Sequence, residues 1–356
     1  MNILEQLYEI DFEKINFTER KKSIVFNNTI LIGPPKSGKT YLVYDYLSKF
    51  KSKEYLYIDF SDYKIDIEYI KKHIEQFVIE NKIEVVVFEN FNFQIDLPKV
   101  TSTIVTTKQN IKLDNFDKIY LEALDFEEFL LFDTKHNSPS YSFNSFLKYG
   151  NLPEIIEYQE LKKHKRNMEI LKLFVDDSIE LDILLLLIKN SGEKKSIFQL
   201  YNTLKKEKKI SKDRFYNYCD YLEYNKIIYF CQKFEQPKGV KKIYSFNHAL
   251  LDIVSYKKNF NNLFKNMLFL ELHKRYKEIY YLDNVDFYLK DTNHIVLAIP
   301  FYNNFLSSKI LEKLYQPIEQ YNIKTITIVT ISTEQTINIF DIDTQIVPFH
   351  SWALSL

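Results

Sequence analysis

Residues 33–40 read Gly-Pro-Pro-Lys-Ser-Gly-Lys-Thr. Two glycines five positions apart, followed at once by a lysine and a hydroxyl residue, are the set needed to grip a phosphate chain. The glycines let the backbone turn its N–H groups towards an anion. Lys39 brings an ammonium to the outer phosphates, and the Thr40 hydroxyl can ligate a divalent cation. The loop candidates are Gly33, Pro34, Pro35, Lys36, Ser37, Gly38, Lys39 and Thr40, with Tyr41 directly behind them. The chain has only five glycines, so two of them falling in this pattern is pointed usage. The ligand that such a loop implies is ATP with Mg²⁺.

Nucleotide chemistry needs a second acidic position, and the run VVVFENFN (85–92) supplies a candidate. Four apolar residues lead to Glu89, which stands where a metal-side aspartate is expected. Asn90 stands where a water-polarising glutamate is expected, and an amide cannot take a proton. Thr40 and Glu89 are thus the candidate Mg²⁺ residues, with Glu89, Asn90 and Thr106 the candidates for chemistry. Thr106 ends TIVT (103–106), where a polar side chain could sense a γ-phosphate, although Thr is also simply a good β residue. No arginine lies between residues 21 and 165, so only Arg20 or Arg166 could act as an arginine finger. Any hydrolysis is therefore expected to be slow.

The elements around these residues have α/β spacing. Residues 23–32 end in a β-rich run, and 40–50 have helical apolar spacing, which gives the strand–loop–helix setting that the motif requires. Short apolar strands at 55–60, 85–88, 103–106 and 119–121, with a helix over 63–81, complete an α/β domain. Helices are expected at 126–132 and 141–158, then a long one over 167–188. Helices at 181–190, 196–206 and 212–224 follow, with Ser196 and Ser211 as N-caps, and then strands at 226–230 and 242–246. Three helices and a β-ribbon make a winged-helix pattern. The remainder reads as a helix at 262–278, strands at 279–282, 285–290 and 294–302, a helix at 307–321, and strands at 324–331 and 336–341.

Composition narrows the field. Among 356 residues, 48 Lys+Arg balance 48 Asp+Glu, which excludes binding to nucleic acid by bulk charge but not by a local basic face. Two cysteines cannot make a disulfide framework or a four-thiolate zinc site. Charges at Glu5, Glu9, Asp11 and Glu13 interrupt any leader-like stretch, and the longest aliphatic run, 183–188, is far short of the roughly 20 residues a spanning helix needs. A cytoplasmic protein without a membrane segment is expected.

Taken together, these stretches resemble a prokaryotic family of AAA-type ATP-binding proteins that join a P-loop domain to a winged helix and a C-terminal restriction-endonuclease-like domain. GPPKSGKT is similar to the family P-loop and FENFN (88–92) to its Walker B motif. In YLEALDFEEFL (120–130), Leu121, Leu124, Phe126, Glu128 and Phe129 match a hallmark of the family. In YGNLPEI (149–155), Gly150, Pro153 and Glu154 match another. The resemblance implies an α/β P-loop NTPase (AAA-type) domain over 1–135, a helical lid over 136–177, a winged helix over 178–255 and a nuclease-like α/β domain over 256–356. In the last of these, Glu271 and Val285-Asp286-Phe287 match the family pattern. The next strand, HIVLAIPFY (294–302), carries neither the expected acid nor the lysine, so this module is expected to be non-catalytic.

Residues 183–242 hold 14 Lys/Arg against 6 Asp/Glu. This basic stretch, concentrated over 194–242, is a DNA phosphate contact, a solvated lysine face or a domain-docking module. Two functions are consistent with all these features. One is an ATP-driven switch or weak ATPase acting on a protein partner or as a homo-oligomer. The other is a DNA-binding or assembly protein whose ATP site is regulatory or vestigial.

Overall fold

The computed structural model describes residues 2–12, 15–25 and 28–356, with the side chains of 304–311 not included. Phe26 and Asn27, inside the first expected strand, therefore lie outside the described residues. The chain divides into two compact units: Met1–Glu122 with Tyr224–Lys226, and Ala123–Glu223 with Ile227–Leu356.

The first unit runs α1 (Ile3–Tyr8), β1 (Asn28–Ile32), α2 (Lys39–Leu47), β2 (Tyr55–Asp59), α3 (Ile67–Glu80), β3 (Val85–Glu89), β4 (Ser102–Thr106) and β5 (Asp117–Tyr120). The five strands form a sheet of order β2-β3-β4-β1-β5, and every pair is parallel. Alternation along the strands serves two cores. Leu56, Ile58, Val86 and Phe88 pack on one face with Ile70, Ile74 and Val78 of α3. Tyr55, Tyr57, Val85 and Val87 pack on the other with Leu42, Val43 and Leu47 of α2. Burial on both faces is why these strands read as unbroken apolar runs. Asp66 accepts from the Tyr69 N–H at 3.0 Å and fixes the start of α3. A parallel sheet with β1 inside it, leading through a Gly-rich loop into α2, fits a P-loop NTPase fold.

The second unit opens with α4 (Phe126–Phe132), α5 (Pro139–Tyr149), α6 (Pro153–Glu157), α7 (Lys163–Leu171) and α8 (Ser178–Lys189). The long helix expected over 167–188 is broken. Val175 is extended, and the Asp177 carboxylate caps the Ile179 and Glu180 N–H groups at 2.8 and 3.0 Å, so α8 starts afresh. Next come β6 (Lys194–Lys195), α9 (Ile197–Lys205), α10 (Lys212–Tyr224), β7 (Ile228–Lys233) and β8 (Lys241–Ser245). Ser196 caps α9 in a reciprocal box with Gln199, and the Ser211 hydroxyl accepts from the Arg214 N–H.

The C-terminal elements are α11 (Leu250–Val254), α12 (Phe260–Arg275), β9 (Ile279–Leu282), β10 (Val285–Leu289), β11 (His294–Ala298), α13 (Asn304–Tyr321), β12 (Thr325–Thr330), β13 (Gln335–Ile339), β14 (Ile342–Pro348) and α14 (Phe349–Ser355). One sheet, β13-β14-β12-β11-β10-β9-β7-β8-β6, runs through the unit, because β7 pairs parallel with β9. The β-ribbon and the C-terminal strands are thereby a single surface. A single hydrophobic cluster reaches from Ala123 to Ala353, with Phe126, Phe146 and Phe349 in edge-to-face contact or stacked at its aromatic centre.

Candidate nucleotide site

The carboxyl ends of parallel strands are where this class of sheet holds its ligands. Here those ends are Ile32, Asp59, Glu89, Thr106 and Tyr120. Gly33 continues β1 with φ +151°, and a Cβ built on it would sit 2.1 Å from the Leu121 carbonyl oxygen. Only glycine lets the loop leave β1 so close to the end of β5. Gly38, at φ +98°, opens α2 without a side-chain cap. The first-turn N–H groups of a helix have no intrahelical partners, and the helix dipole adds partial positive charge there. The Ser37 hydroxyl is buried in the loop with no hydrogen-bond partner among the described residues. A loop with glycine-only geometry, a helix N-terminus and an orphaned hydroxyl fits a phosphate chain.

Lys39 donates from Nζ to the Gly33 and Pro34 carbonyls at 2.8 and 2.9 Å. Burial lowers its pKa to about 8, against the attraction of Glu89. Arg20 donates to the Ser37 carbonyl and, at 3.0 Å, to the Glu122 carbonyl. The one arginine near the loop in sequence thus braces the loop backbone. Tyr41 is 62% exposed, with its ring tilted against Tyr44.

Thr40 and Glu89, 49 residues apart, meet directly: the Thr40 hydroxyl donates to Glu89 Oε1. Tyr57 on β2 donates its hydroxyl to Glu89 Oε2. Glu89 is buried, and desolvation pushes its pKa above the usual carboxylate value despite these two bonds. Burial and the Glu89 charge together raise the Tyr57 phenol, which stays a donor. A hydroxyl and a carboxylate converging at the start of α2 are hard oxygen donors that suit Mg²⁺.

Asn90 follows Glu89 in the left-handed region, at φ +53°. Its N–H donates to Thr106 Oγ1 at 2.9 Å, and its side-chain amide donates to Asp59 Oδ1 at 2.8 Å. Thr106, also buried, therefore fixes the turn that carries Asn90. The fold brings Lys39, Thr40, Glu89, Asn90 and Thr106 to one edge of one sheet. Tyr57 and Asp59 belong to the same edge and were passed over in the sequence. Their only signal is that the apolar run YLYIDF carries a phenol and a carboxylate on β2.

In the second unit, Glu271 and Asp286 serve separate networks. Glu271 accepts from the Phe126 N–H at 2.8 Å and from Arg275 at 3.2 Å, which caps α4. Asp286 accepts from the Ala298 N–H at 3.1 Å and pairs with the ammonium groups of Lys265 and Lys242 at 2.9 and 3.3 Å. Glu271 and Asp286 are thus each taken up by other partners. Among the described residues no group of three or more His, Cys, Asp or Glu could hold a metal ion.

The basic excess over 194–242 is partly neutralised by acids outside that stretch. Lys194 and Lys233 pair with Asp283, Lys208 with Asp182, and Arg214 with Asp177. Lys205, Lys206, Lys209, Lys212 and Lys238 remain on exposed surface. No described helix is long and apolar enough to cross a membrane.

No known family model matches the chain. It is 24% identical to the uncharacterised protein MJ1544 of Methanocaldococcus jannaschii, over 92% of this chain and 88% of that one. Among solved structures it is similar to the Walker-type ATPase PABY2304 of Pyrococcus abyssi, at 13% identity and a TM-score of 0.40, over 64% of this chain and 91% of that chain. It is also similar to a chain of the Drosophila ORC bound to DNA, at 12% identity and a TM-score of 0.22, over 65% and 81%.

Proposed function

We propose that the chain is an AAA-type ATP-binding protein: a nucleotide-dependent switch with slow ATP hydrolysis. The observation that carries this reading is the Thr40–Glu89 contact at the mouth of the Gly33–Thr40 loop. Three chemical requirements for Mg–ATP meet there. The loop N–H groups and the start of α2 receive phosphate oxygens. Lys39 exchanges two loop carbonyls for the outer phosphates. Thr40 and Glu89 would hold Mg²⁺, whose charge offsets that of the phosphates. In this reading Tyr41, exposed directly behind the loop, is a further contact for the nucleotide.

In this reading the elements from α5 onward subdivide as a lid (α5–α7), a winged helix (α8–α10 with β6–β8) and a non-catalytic nuclease-like module (α12 onward). They are the parts that respond to nucleotide, on behalf of a protein partner or a second copy of the chain. The reading is tested by titrating ATP in Mg²⁺ and in EDTA. Wild-type protein should bind more tightly in Mg²⁺, and Thr40→Val should erase that difference while keeping the metal-free affinity. Equal affinities with and without Mg²⁺ in the wild type would sink the assignment of Thr40 and Glu89.

A second reading, DNA contact through the basic winged helix with a regulatory ATP site, is favoured by the exposed lysines at 205, 206, 209 and 238. Such contact would be phosphate-directed, because the Arg214 guanidinium is held by Asp177. It requires DNA affinity that falls steeply with salt. Salt-independent or absent binding in a gel-shift titration excludes it.

A further inference from the structure

Asn90, the residue after Glu89, carries no carboxylate, but the neighbouring strand ends in one. β2 and β3 pair with Asp59 opposite Glu89, so the two strands end in adjacent acids, whereas β1, β4 and β5 end in Ile32, Thr106 and Tyr120. Glu89 is committed to Thr40 and Tyr57. Asp59 is held differently. Its Oδ1 accepts from the Ser61 N–H at 2.9 Å, the Ser61 hydroxyl at 2.8 Å and the Asn90 amide at 2.8 Å. Asn90 is itself fixed by the Thr106 hydroxyl, at a backbone angle that aims its side chain along this edge. Three donors on one oxygen lock the carboxylate plane and leave Oδ2 as its remaining acceptor.

We propose that Asp59 is the water-activating residue of the ATP site and that Asn90 is its positioning residue. The inference rests on the ATP-site reading above. A general base must be a carboxylate or imidazole within one hydrogen bond of the attacking water, and an amide cannot serve. The 2.8 Å Asn90–Asp59 bond puts a carboxylate about one hydrogen-bond length beyond the tip of Asn90. In the step itself, the water oxygen bonds to the γ-phosphorus as one water proton passes to Asp59 Oδ2. The bond from that phosphorus to the β,γ-bridging oxygen breaks, and its electron pair leaves with ADP. Asp59 then returns the proton to solvent, and the products are ADP and inorganic phosphate.

The test compares wild type, Asp59→Asn, and the exchanged pair Asp59→Asn/Asn90→Asp, measuring ATP affinity, turnover and melting temperature on each. Asparagine keeps the acceptor for the Ser61 N–H, so Asp59→Asn removes the base and spares the turn. The expected result is a turnover loss of about 100-fold or more, with ATP affinity within about threefold and the melting temperature unchanged. The exchanged pair should regain at least about tenfold, because it returns one carboxylate to the same hydrogen-bonded couple. Asp59→Asn turnover within threefold of wild type overturns the proposal. So does loss of ATP binding in that variant, which would mark Asp59 as structural, and so does an exchanged pair no faster than the single variant. Wild-type protein that binds ATP and never hydrolyses it removes the role of Asp59 and leaves the ATP site standing. Wild-type protein that binds no ATP removes both.

Discussion

The ammonium of Lys242 on β8 lies 3.3 Å from the carboxylate of Asp286 on β10, and Lys265 closes on the same oxygen at 2.9 Å. Burial alone would raise the pKa of Asp286, but the two ammonium groups more than offset it and hold the group below the usual carboxylate range. A carboxylate engaged by two lysines is occupied where a nuclease would need it for Mg²⁺. Wild-type protein should therefore show no Mg²⁺-dependent DNA cleavage. Lys242→Met should destabilise the fold by about 3 kcal/mol, because it removes one partner of a buried pair. Urea denaturation measures the second effect; a change below about 0.5 kcal/mol would mean that the pair is not part of the packed core.

Lys39 should give ATP binding a pH limit. Its pKa of about 8 in the folded chain means that the ammonium begins to lose its proton just above neutrality. ATP affinity should be level from pH 6.5 to 7.5 and then fall by up to about tenfold per pH unit above about 8. Lys39→Arg, whose guanidinium stays charged, should bind without that fall. An identical alkaline fall in both proteins would place the titration elsewhere.

Glu271 should make the fold more stable in mild acid than at neutral pH. Burial first, and then the neighbouring Asp125, raise its pKa to about 7, against the ordinary 4.5. The folded chain thus holds this proton more tightly than the unfolded chain. The contribution to stability is full below pH 4.5 and is lost as pH rises towards 7, by up to about 3 kcal/mol. Glu271→Gln has no such proton to lose. The stability of the wild type relative to this variant should fall across pH 4.5 to 7.5, and parallel curves would contradict the assignment.

Gly33→Ala tests the loop without touching a charge. The added Cβ would overlap the Leu121 carbonyl oxygen at 2.1 Å, and the backbone there is in a region that costs other residues about 1–3 kcal/mol. ATP binding should be lost while circular dichroism still reports a folded chain. Retained affinity would show that the loop reaches its working shape by another route.

Much of this was legible in the sequence, and the exceptions share causes. The Gly33–Thr40 loop and its flanking strand and helix are local, so spacing alone located them. Glu89 and Thr106 could be singled out because each closes an apolar run, with Asn90 directly after Glu89, and strand ends are where polar residues must surface. The same logic applied to YLYIDF would have flagged Asp59, but a single acid after a strand has no meaning until register sets it opposite Glu89. Tyr57 was hidden because a phenol in a β-run reads as packing. β6 and β14 were missed for different reasons. β6 is two residues long, and β14 follows β13 through a tight turn at Phe340–Asp341, where both residues have positive φ and neither is glycine. The charge count over 183–242 overstated the basic face, since Asp177, Asp182, Asp283 and Asp286 lie outside that window and only the fold brings them to it.

The most direct test of the account is a single-turnover experiment with γ-labelled ATP and Mg²⁺, in which wild type and Lys39→Ala are held in excess over nucleotide and bound label and free phosphate are followed in the same tube. The account predicts that wild type captures the label and converts it slowly to phosphate, while Lys39→Ala captures none. Equal capture by the two proteins, or none by either, would contradict a nucleotide site built on this loop.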